Sequence, residues 1–332
     1  MIRFSGVGQR SQLSNKNEPV ISVVMAVYNE AKYVKEAIDS ILSQSFKNFE
    51  FIIVDDGSTD DTNKIIQSYQ DSRIKLLSLD HGGLPRALNI GIDNSRSNII
   101  ARMDGDDIAI HFRLEKQIQY LDQNINCLAV GSAVEVIDKD SASLYRQEVP
   151  ISFKEIKKHM PIIPMYHSSI CFRKDIFYKC GGYDTNLLTA QDRLLFNKMA
   201  TFGALNNINE VLLKYRIHPG AISRRTNRDY KLLNQAMVRL INNKDADQND
   251  YDNINIVYSK HNNSEKRKKG LYYLKIGKLY IEKIFDRNKA FKNLIRSILY
   301  YPINVNAWYN LFLILLPKSM INKLKKFRGA QI

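Results

Sequence analysis

Cysteine is scarce in this chain. The 332 residues hold three, Cys127, Cys171 and Cys180, and none stands at metal-ligand spacing. That excludes a thiolate zinc cage and a disulfide scaffold, and an odd, sparse set suits a reducing compartment. Glycine-rich phosphate loops are missing too. No G-x-G-x-x-G opens the first predicted helix, where Val27-Tyr28-Asn29-Glu30 stands instead, and no G-x-x-x-x-G-K-[ST] occurs. The dinucleotide fingerprint and the P-loop are thereby excluded, and any phosphate is left to metal and side chains. Runs long enough to cross a bilayer are absent as well. The apolar stretch from Trp308 to Leu316 is about ten residues, where a spanning helix needs roughly 20. Met1 to Glu18 is polar and has no apolar signal-peptide core, so secretion is not expected and residues 1–17 are read as a flexible N-terminus.

What is present is an ordinary globular composition, 44% hydrophobic and 25% charged. The length suffices for one large domain or a domain plus an extension. The net charge of +15 is unevenly placed. From Ala221 to Ile332 there are 23 Lys+Arg against 8 Asp+Glu, while 26 of each precede Ala221. The first 220 residues are therefore neutral and the tail carries the whole excess, which marks two parts with different partners.

Apolar periodicity orders the elements. Pro19 to Tyr28 reads as a strand buried on both faces. Ala31 to Ser43 places Val34, Ala37, Ile38, Ile41 and Leu42 at helical spacing. Phe49 to Val54 is predicted as a strand, Asp60 to Tyr69 as a helix, Ile74 to Leu79 as a strand and Leu84 to Asn94 as a helix feeding a strand at Asn98 to Ala101. This alternation predicts an α/β fold with a doubly wound, mostly parallel sheet. Beyond it, His111 to Asn124 is amphipathic and Cys127 to Ile137 alternates like a strand. His167 to Phe172 and Asn209 to Ile217 read as strands, and Gln191 to Phe202 as a helix with Asp192 in its first turn. After Ala221 the pattern is helical, with polar Asn242 to Asn253 as the expected flexible connection. There are no internal repeats.

The most informative run is Arg102-Met103-Asp104-Gly105-Asp106-Asp107, which follows the fourth predicted strand. Three carboxylates there repel one another unless a cation or a ligand's donors join them. A divalent metal holding a diphosphate meets that need, because hard cations take oxygens from one or two carboxylates plus substrate phosphates. Open α/β sheets also bind ligands beyond the carboxyl ends of their strands. A solvated acidic turn is the competing reading. A calcium loop is excluded: counted from Asp104, Ile108 and Ala109 fall where a ligand and a turn glycine belong.

Together these pieces resemble a bacterial member of glycosyltransferase family 2, of the GT-A fold. The resemblance rests on P-V-I-S-V-V-M-A-V-Y-N-E, Q-S-F-K-N-F-E-F-I-I-V-D-D-G-S-T-D-D-T and A-R-M-D-G-D-D. It continues through His167-Ser168-Ser169, Gly181-Gly182-Tyr183-Asp184, Gln191-Asp192 and Tyr215-Arg216-Ile217-His218. It covers residues 18 to 220, several motifs in their expected order. It implies a nucleotide-sugar-binding half over 18–108, an acceptor-binding and catalytic half over 109–220, and a helical, basic tail over 221–332.

The resemblance implies a role for each motif residue, and each has a plainer reading beside it. Tyr28 lies against the base of a nucleotide sugar, or is a partly buried core tyrosine. Asp56 accepts a hydrogen bond from the base with Asp55 as helper, although Asp55-Asp56-Gly57-Ser58 also suits a capping cluster. Arg86 falls where the family packs a helix beside the donor, and Asp104 touches the ribose. Asp106 ligates Mn²⁺ or Mg²⁺ bridging the phosphates, and Asp107 shares that role. Asp192 is the general base, a carboxylate equally suited to a helix N-terminus. The chain departs from the family's Glu-Asp pair here, with Gln191 in place of the first carboxylate. His218 lies near metal and pyrophosphate, or is a surface histidine.

The function implied is inverting, metal-dependent sugar transfer from a nucleoside-diphosphate sugar, UDP-sugar favoured, to a hydroxyl of a polysaccharide or lipid-linked acceptor. A non-catalytic nucleotide-sugar-binding scaffold at the membrane is the alternative, with Gln191 as its support. A sugar-1-phosphate nucleotidyltransferase is disfavoured because no G-x-G-T-R-like run stands near the N-terminus. In the tail, Lys266-Arg267-Lys268-Lys269 precedes several tyrosines, and Trp308 to Leu316 is flanked by Lys318, Lys323, Lys325, Lys326 and Arg328. That pattern suits a segment lying in an anionic membrane interface, against a set of packing helices with solvated lysines. A cytoplasmic protein, peripheral on the inner face of the cell membrane, is expected. No nucleic-acid recognition module is present.

Overall fold

The computed structural model describes residues 18–162, 164–220, 227–242, 247–259 and 264–316. In its first half the predicted alternation holds: β1 (Ile21–Val27), α1 (Val34–Leu42), β2 (Phe49–Asp55), α2 (Thr62–Gln67), β3 (Ile74–Ser78), α3 (Leu84–Asp93) and β4 (Ile99–Asp104). β1 and β2 are buried at every position, as their mostly apolar character requires, and the polar Ser22 and Glu50 are paired by a hydroxyl-to-carboxylate bond of 2.6 Å. Their alternate residues enter opposite cores. Val23 and Met25 join Ala37, Ile38 and Ile41 of α1, while Val24 and Ala26 join Ala87, Leu88 and Ile92 of α3. Helices thus cover both faces of the sheet.

The second half carries β5 (Ile108–Ala109), α4 (Arg113–Gln123), β6 (Cys127–Ile137), β7 (Ser143–Gln147) and α5 (Phe153–Lys157). After a 3₁₀ turn at His167–Ser169 come β8 (Cys171–Arg173), α6 (Lys174–Lys179), α7 (Gln191–Phe202) and β9 (Ala204–Arg216). The stretch predicted as one strand from His167 to Phe172 is therefore a turn followed by a short strand. The Ser169 hydroxyl donates to the Tyr166 carbonyl at 2.9 Å, a local bond that competes with strand pairing.

The strands form one mixed sheet in the order β3-β2-β1-β4-β8-β6-β9-β5, with β7 on β6. β1, β2, β3, β4, β6 and β9 run one way, and β5, β7 and β8 run against them. The sheet is thus mostly parallel, as predicted. The chain proceeds from β1 outward through β2 and β3, then returns to place β4 on the other side of β1. The switch point lies between β1 and β4, where such sheets open a ligand crevice.

Beyond β9, α8 (Asn227–Asn242) and α9 (Gln248–Ser259) pack on the start of α7 through Ala236, Met237, Leu240 and Ile254. The flexible connection expected over Asn242 to Asn253 is helical from Gln248 onward. There Asp250, buried, pairs with Arg239 and ties the two helices together. α10 (Glu265–Leu279), a π turn (Tyr280–Ile284), α11 (Arg287–Tyr300) and α12 (Val305–Leu315) follow, and Tyr272, Ile276, Leu294 and Ile314 extend the first core. None of the described helices is long and apolar enough to cross a membrane. The expected flexible N-terminus and the basic run from Lys318 to Arg328 lie outside the described residues.

Candidate active site

The switch point gathers acid. β4 ends at Asp104, and Asp104, Asp106 and Asp107 each present a carboxylate oxygen within 4.8 Å of the other two. Beneath them Arg102, itself buried, grips Asp104 with both terminal guanidinium nitrogens. Asp107 is buried; its Oδ1 accepts from the Arg216 backbone N–H at 2.8 Å and its Oδ2 has no hydrogen-bond partner. Burial, then the charges of Asp106 and Asp104, push the Asp107 carboxyl well above its ordinary range. Asp104 is raised too, by its enclosed surroundings foremost; Arg102 opposes the shift and Asp106 adds to it.

The far end of the sheet completes the cluster. β5 is only two residues long, but Ile108 and Ala109 pair with Lys214 and Leu213 of β9 and so deliver the end of β9 to the acidic run. His218 Nε2 lies 2.9 Å from Asp106 Oδ2. Arg216, buried, donates from Nε to the Asp106 carbonyl at 2.6 Å and from a terminal nitrogen to Glu36 Oε2 at 2.5 Å. Glu30, from the loop after β1, joins Asp106 and His218 in a second set of ligand atoms within 4.8 Å. Burial, then Asp106, Asp104 and Asp60, push the Glu30 carboxyl up to about 9, against the pull of Arg216. The two three-residue sets share Asp106, and their carboxylate oxygens, with one imidazole nitrogen and the unpartnered Asp107 Oδ2, are donors that fit a divalent cation.

At the ends of β1 and β2 the crevice has an aromatic and a hydrogen-bonded rim. Tyr28 is 42% exposed, and the His81 ring stacks on it with centroids 4.0 Å apart. Asp56 is buried, and its carboxylate accepts from Gly82 N–H at 3.0 Å and Gly83 N–H at 2.8 Å, with His81 Nδ1 at 2.9 Å. Asp55 accepts from Ser58 N–H at 3.0 Å and Asn63 Nδ2 at 2.7 Å, closing the turn before α2. Both aspartates therefore hold loops. Arg86 is exposed and donates to the Asp80 carbonyl at 2.9 Å, bracing the same loop from outside.

Asp192 stands in the first turn of α7. It is near enough that its charge contributes to raising the carboxyl of Asp104 and the hydroxyl of Tyr183. The loop leading to it turns on Gly181 and Gly182, both left-handed (φ 81° and 70°). At Gly182 a Cβ would come within 3.2 Å of Asn89 Oδ1, which accepts from Tyr183 N–H at 3.0 Å while Asn89 Nδ2 donates back to the Tyr183 carbonyl at 2.8 Å. The Tyr183 hydroxyl reaches His167 Nε2 at 2.7 Å. Burial, then Arg102, hold His167 well below its ordinary range and hence neutral.

The structure therefore brings Asp104, Asp106, Asp107 and His218 together, sets Tyr28, Asp55 and Asp56 at the ends of the neighbouring β1 and β2, keeps Asp192 within electrostatic reach of Asp104, and leaves Arg86 exposed on the loop it braces. Glu30, His81, Arg102 and Arg216 were missed by sequence reasoning. Glu30 and Arg216 stood inside quoted motifs, next to residues that were singled out. His81 carried no signal in the sequence, because its partner Tyr28 is 53 positions away.

Comparison with known proteins agrees in kind. Residues 22–181 match the family model described as glycosyl transferase family 2. The O-antigen biosynthesis glycosyltransferase WbnJ of Escherichia coli is 35% identical over 207 residues, 60% of this chain and 80% of that protein. A Rickettsia prowazekii protein named as an uncharacterised glycosyltransferase is 35% identical over 61% of this chain and 66%, just under two thirds, of its own length. Among solved structures, S. aureus TarS 1-349 in complex with UDP-GlcNAc superposes with a TM-score of 0.56 at 18% identity, covering 89% of this chain and 90% of that one. The mannosyltransferase PcManGT of Pyrobaculum calidifontis, in complex with GDP-Man and Mn²⁺, gives 0.51 at 16% identity over 91% and 88%. These likenesses bear out the expected GT-A fold.

Proposed function

The chain belongs to glycosyl transferase family 2, and on that premise we propose that it is an inverting, metal-dependent enzyme. It moves a sugar from a nucleoside-diphosphate sugar, UDP-sugar favoured, to a hydroxyl of a polysaccharide or lipid-linked acceptor, working peripherally at the inner face of the cell membrane. One observation carries the reading: Asp104, Asp106, Asp107, Glu30 and His218 meet at the β1–β4 switch point, where an open α/β sheet binds its ligand.

Each residue has a part that its surroundings support. The exposed Tyr28 ring offers a stacking surface for the base. A carboxylate has about four acceptor positions, and the loop bonds to Asp56 leave one for the base. Asp55 supports that turn, and Arg86 is the cation on the same rim. Asp104, held by Arg102, faces the ribose. Asp106, Asp107 and His218 would hold Mn²⁺ or Mg²⁺, which when bound neutralises the charge building on the departing diphosphate. Asp192 takes the proton of the acceptor hydroxyl. The oxygen so freed bonds to the anomeric carbon as the bond to the diphosphate breaks on the opposite face, and one displacement inverts the configuration.

Thermal shift with UDP-, GDP- and dTDP-sugars, each with Mn²⁺ and with EDTA, tests the proposal. A metal-dependent rise with one nucleotide, lost in Asp106→Ala, is the expected result. No shift with any of the three removes the donor assignment.

A further inference from the structure

α12 has a buried face and a bare one. Ala307, Asn310, Leu313 and Ile314 pack inward, whereas Val305, Trp308, Phe312 and Leu315 are 52 to 78% exposed. Their spacing of three and four residues lines them along one side of the helix. Leu299 at the end of α11 and Ile303 in the connection are equally bare. No charged residue interrupts Val305–Leu315. A contiguous apolar stripe of this kind marks an interaction surface rather than ordinary solvent contact.

The charge around the stripe identifies its partner. Lys292 and Arg296 are exposed on α11, about two turns and one turn ahead of Leu299 respectively. Immediately after α12, residues 317–332 contain Lys318, Lys323, Lys325, Lys326 and Arg328 and no acidic residue. The segment from Ala221 onward supplies the entire +15 of a chain that is otherwise neutral. Apolar side chains able to enter the headgroup boundary, with cations before and after them in the sequence, complement an anionic lipid surface. We infer that α12 docks on anionic lipid through Val305, Trp308, Phe312 and Leu315. This deepens the membrane half of the proposed function and rests on it.

Trp308 is the only tryptophan in the chain, so its emission reports the docking directly. Phosphatidylcholine vesicles with about one quarter phosphatidylglycerol should shift Trp308 emission to the blue and allow quenching by brominated lipid. Pure phosphatidylcholine should do neither, and ~0.5 M salt should reverse the effect. Phe312→Asp with Leu315→Asp, which keeps Trp308, should lower partition at least about tenfold and leave the thermal shift with nucleotide sugar unchanged. Unmoved emission with anionic vesicles, or equal partition by the double variant, overturns the inference. So does self-association of the wild type that the double variant abolishes, since a second copy would then own the face. Vesicle binding without any nucleotide-sugar binding would instead remove the donor assignment and leave the docking intact.

Discussion

The Tyr251 hydroxyl donates to Asp184 Oδ2 across 2.9 Å, so a helix beyond β9 holds the loop that leads to Asp192. Asn255 grips the same loop twice, donating to the Asn186 carbonyl at 2.8 Å and accepting from Leu188 N–H at 2.9 Å. Leu187, Ala190 and Leu194 bury against α8 and α9 in a small core of their own. Loosening this grip should misplace Asp192, the proposed base, more than the donor. Tyr251→Phe with Asn255→Ala is expected to lower kcat about tenfold at an unchanged donor KM, measured as release of nucleoside diphosphate. A loss in donor KM alone would show that the loop serves donor binding instead.

Asp192→Asn preserves shape and removes the proton acceptor. Turnover should fall by at least ~10², with metal-dependent donor binding by calorimetry unchanged. A variant that turns over at the wild-type rate would transfer the base to another residue.

His167 links folding stability to pH. It is half-buried, and desolvation foremost, then the Arg102 charge, holds its pKa in the folded protein below the unfolded value of about 6.5. The unfolded chain then binds the extra proton, and stability rises with pH wherever it does. The contribution is fully present above pH about 6.5 and is lost progressively as the pH falls below that value. Urea unfolding at pH 7.5 and 5.5 should show a larger drop for the wild type than for His167→Gln, which keeps a polar partner for Tyr183. Equal drops would assign the acid sensitivity elsewhere.

Asp56→Ala should loosen the loop at Gly82 and Gly83, whose N–H groups it accepts. A cost of about 1–3 kcal/mol is expected for the stranded donors, with weaker nucleotide binding alongside. Asp56→Asn keeps one acceptor oxygen and should lose less. Nucleotide affinity that survives Asp56→Ala would separate the loop brace from the base contact.

The first half of the fold was legible because β1 and β2 are apolar on both faces and α1 and α3 on one, which period and burial together predict. The second half was less so. β5 is two residues long and exists only because β9 supplies its partners, and β7 (S-L-Y-R-Q) has little apolar content to announce it. α9 was hidden in a polar stretch because its anchors are the Arg239–Asp250 pair and the fully buried Ile254 rather than a hydrophobic stripe. The same contrast holds in the site. Asp104, Asp106 and Asp107 could be read from adjacency alone, and Arg102 stood two positions from its partner Asp104, whereas His81 and Arg216 gain meaning only from partners the fold brings to them. Arg86 shows the reverse, a motif position whose observed contact is with its own loop.

The two-residue pairing of β5 with β9 also sets an order of assembly. His218 meets Asp106 from 112 positions further along the chain, as a chain grows from its N-terminus. Until β9 has been synthesised and docked, the three aspartates stand together without the Arg216 amide or the imidazole that later faces them. The acidic centre is therefore closed only by the last strand of the sheet, through contacts that no local stretch of chain can make by itself.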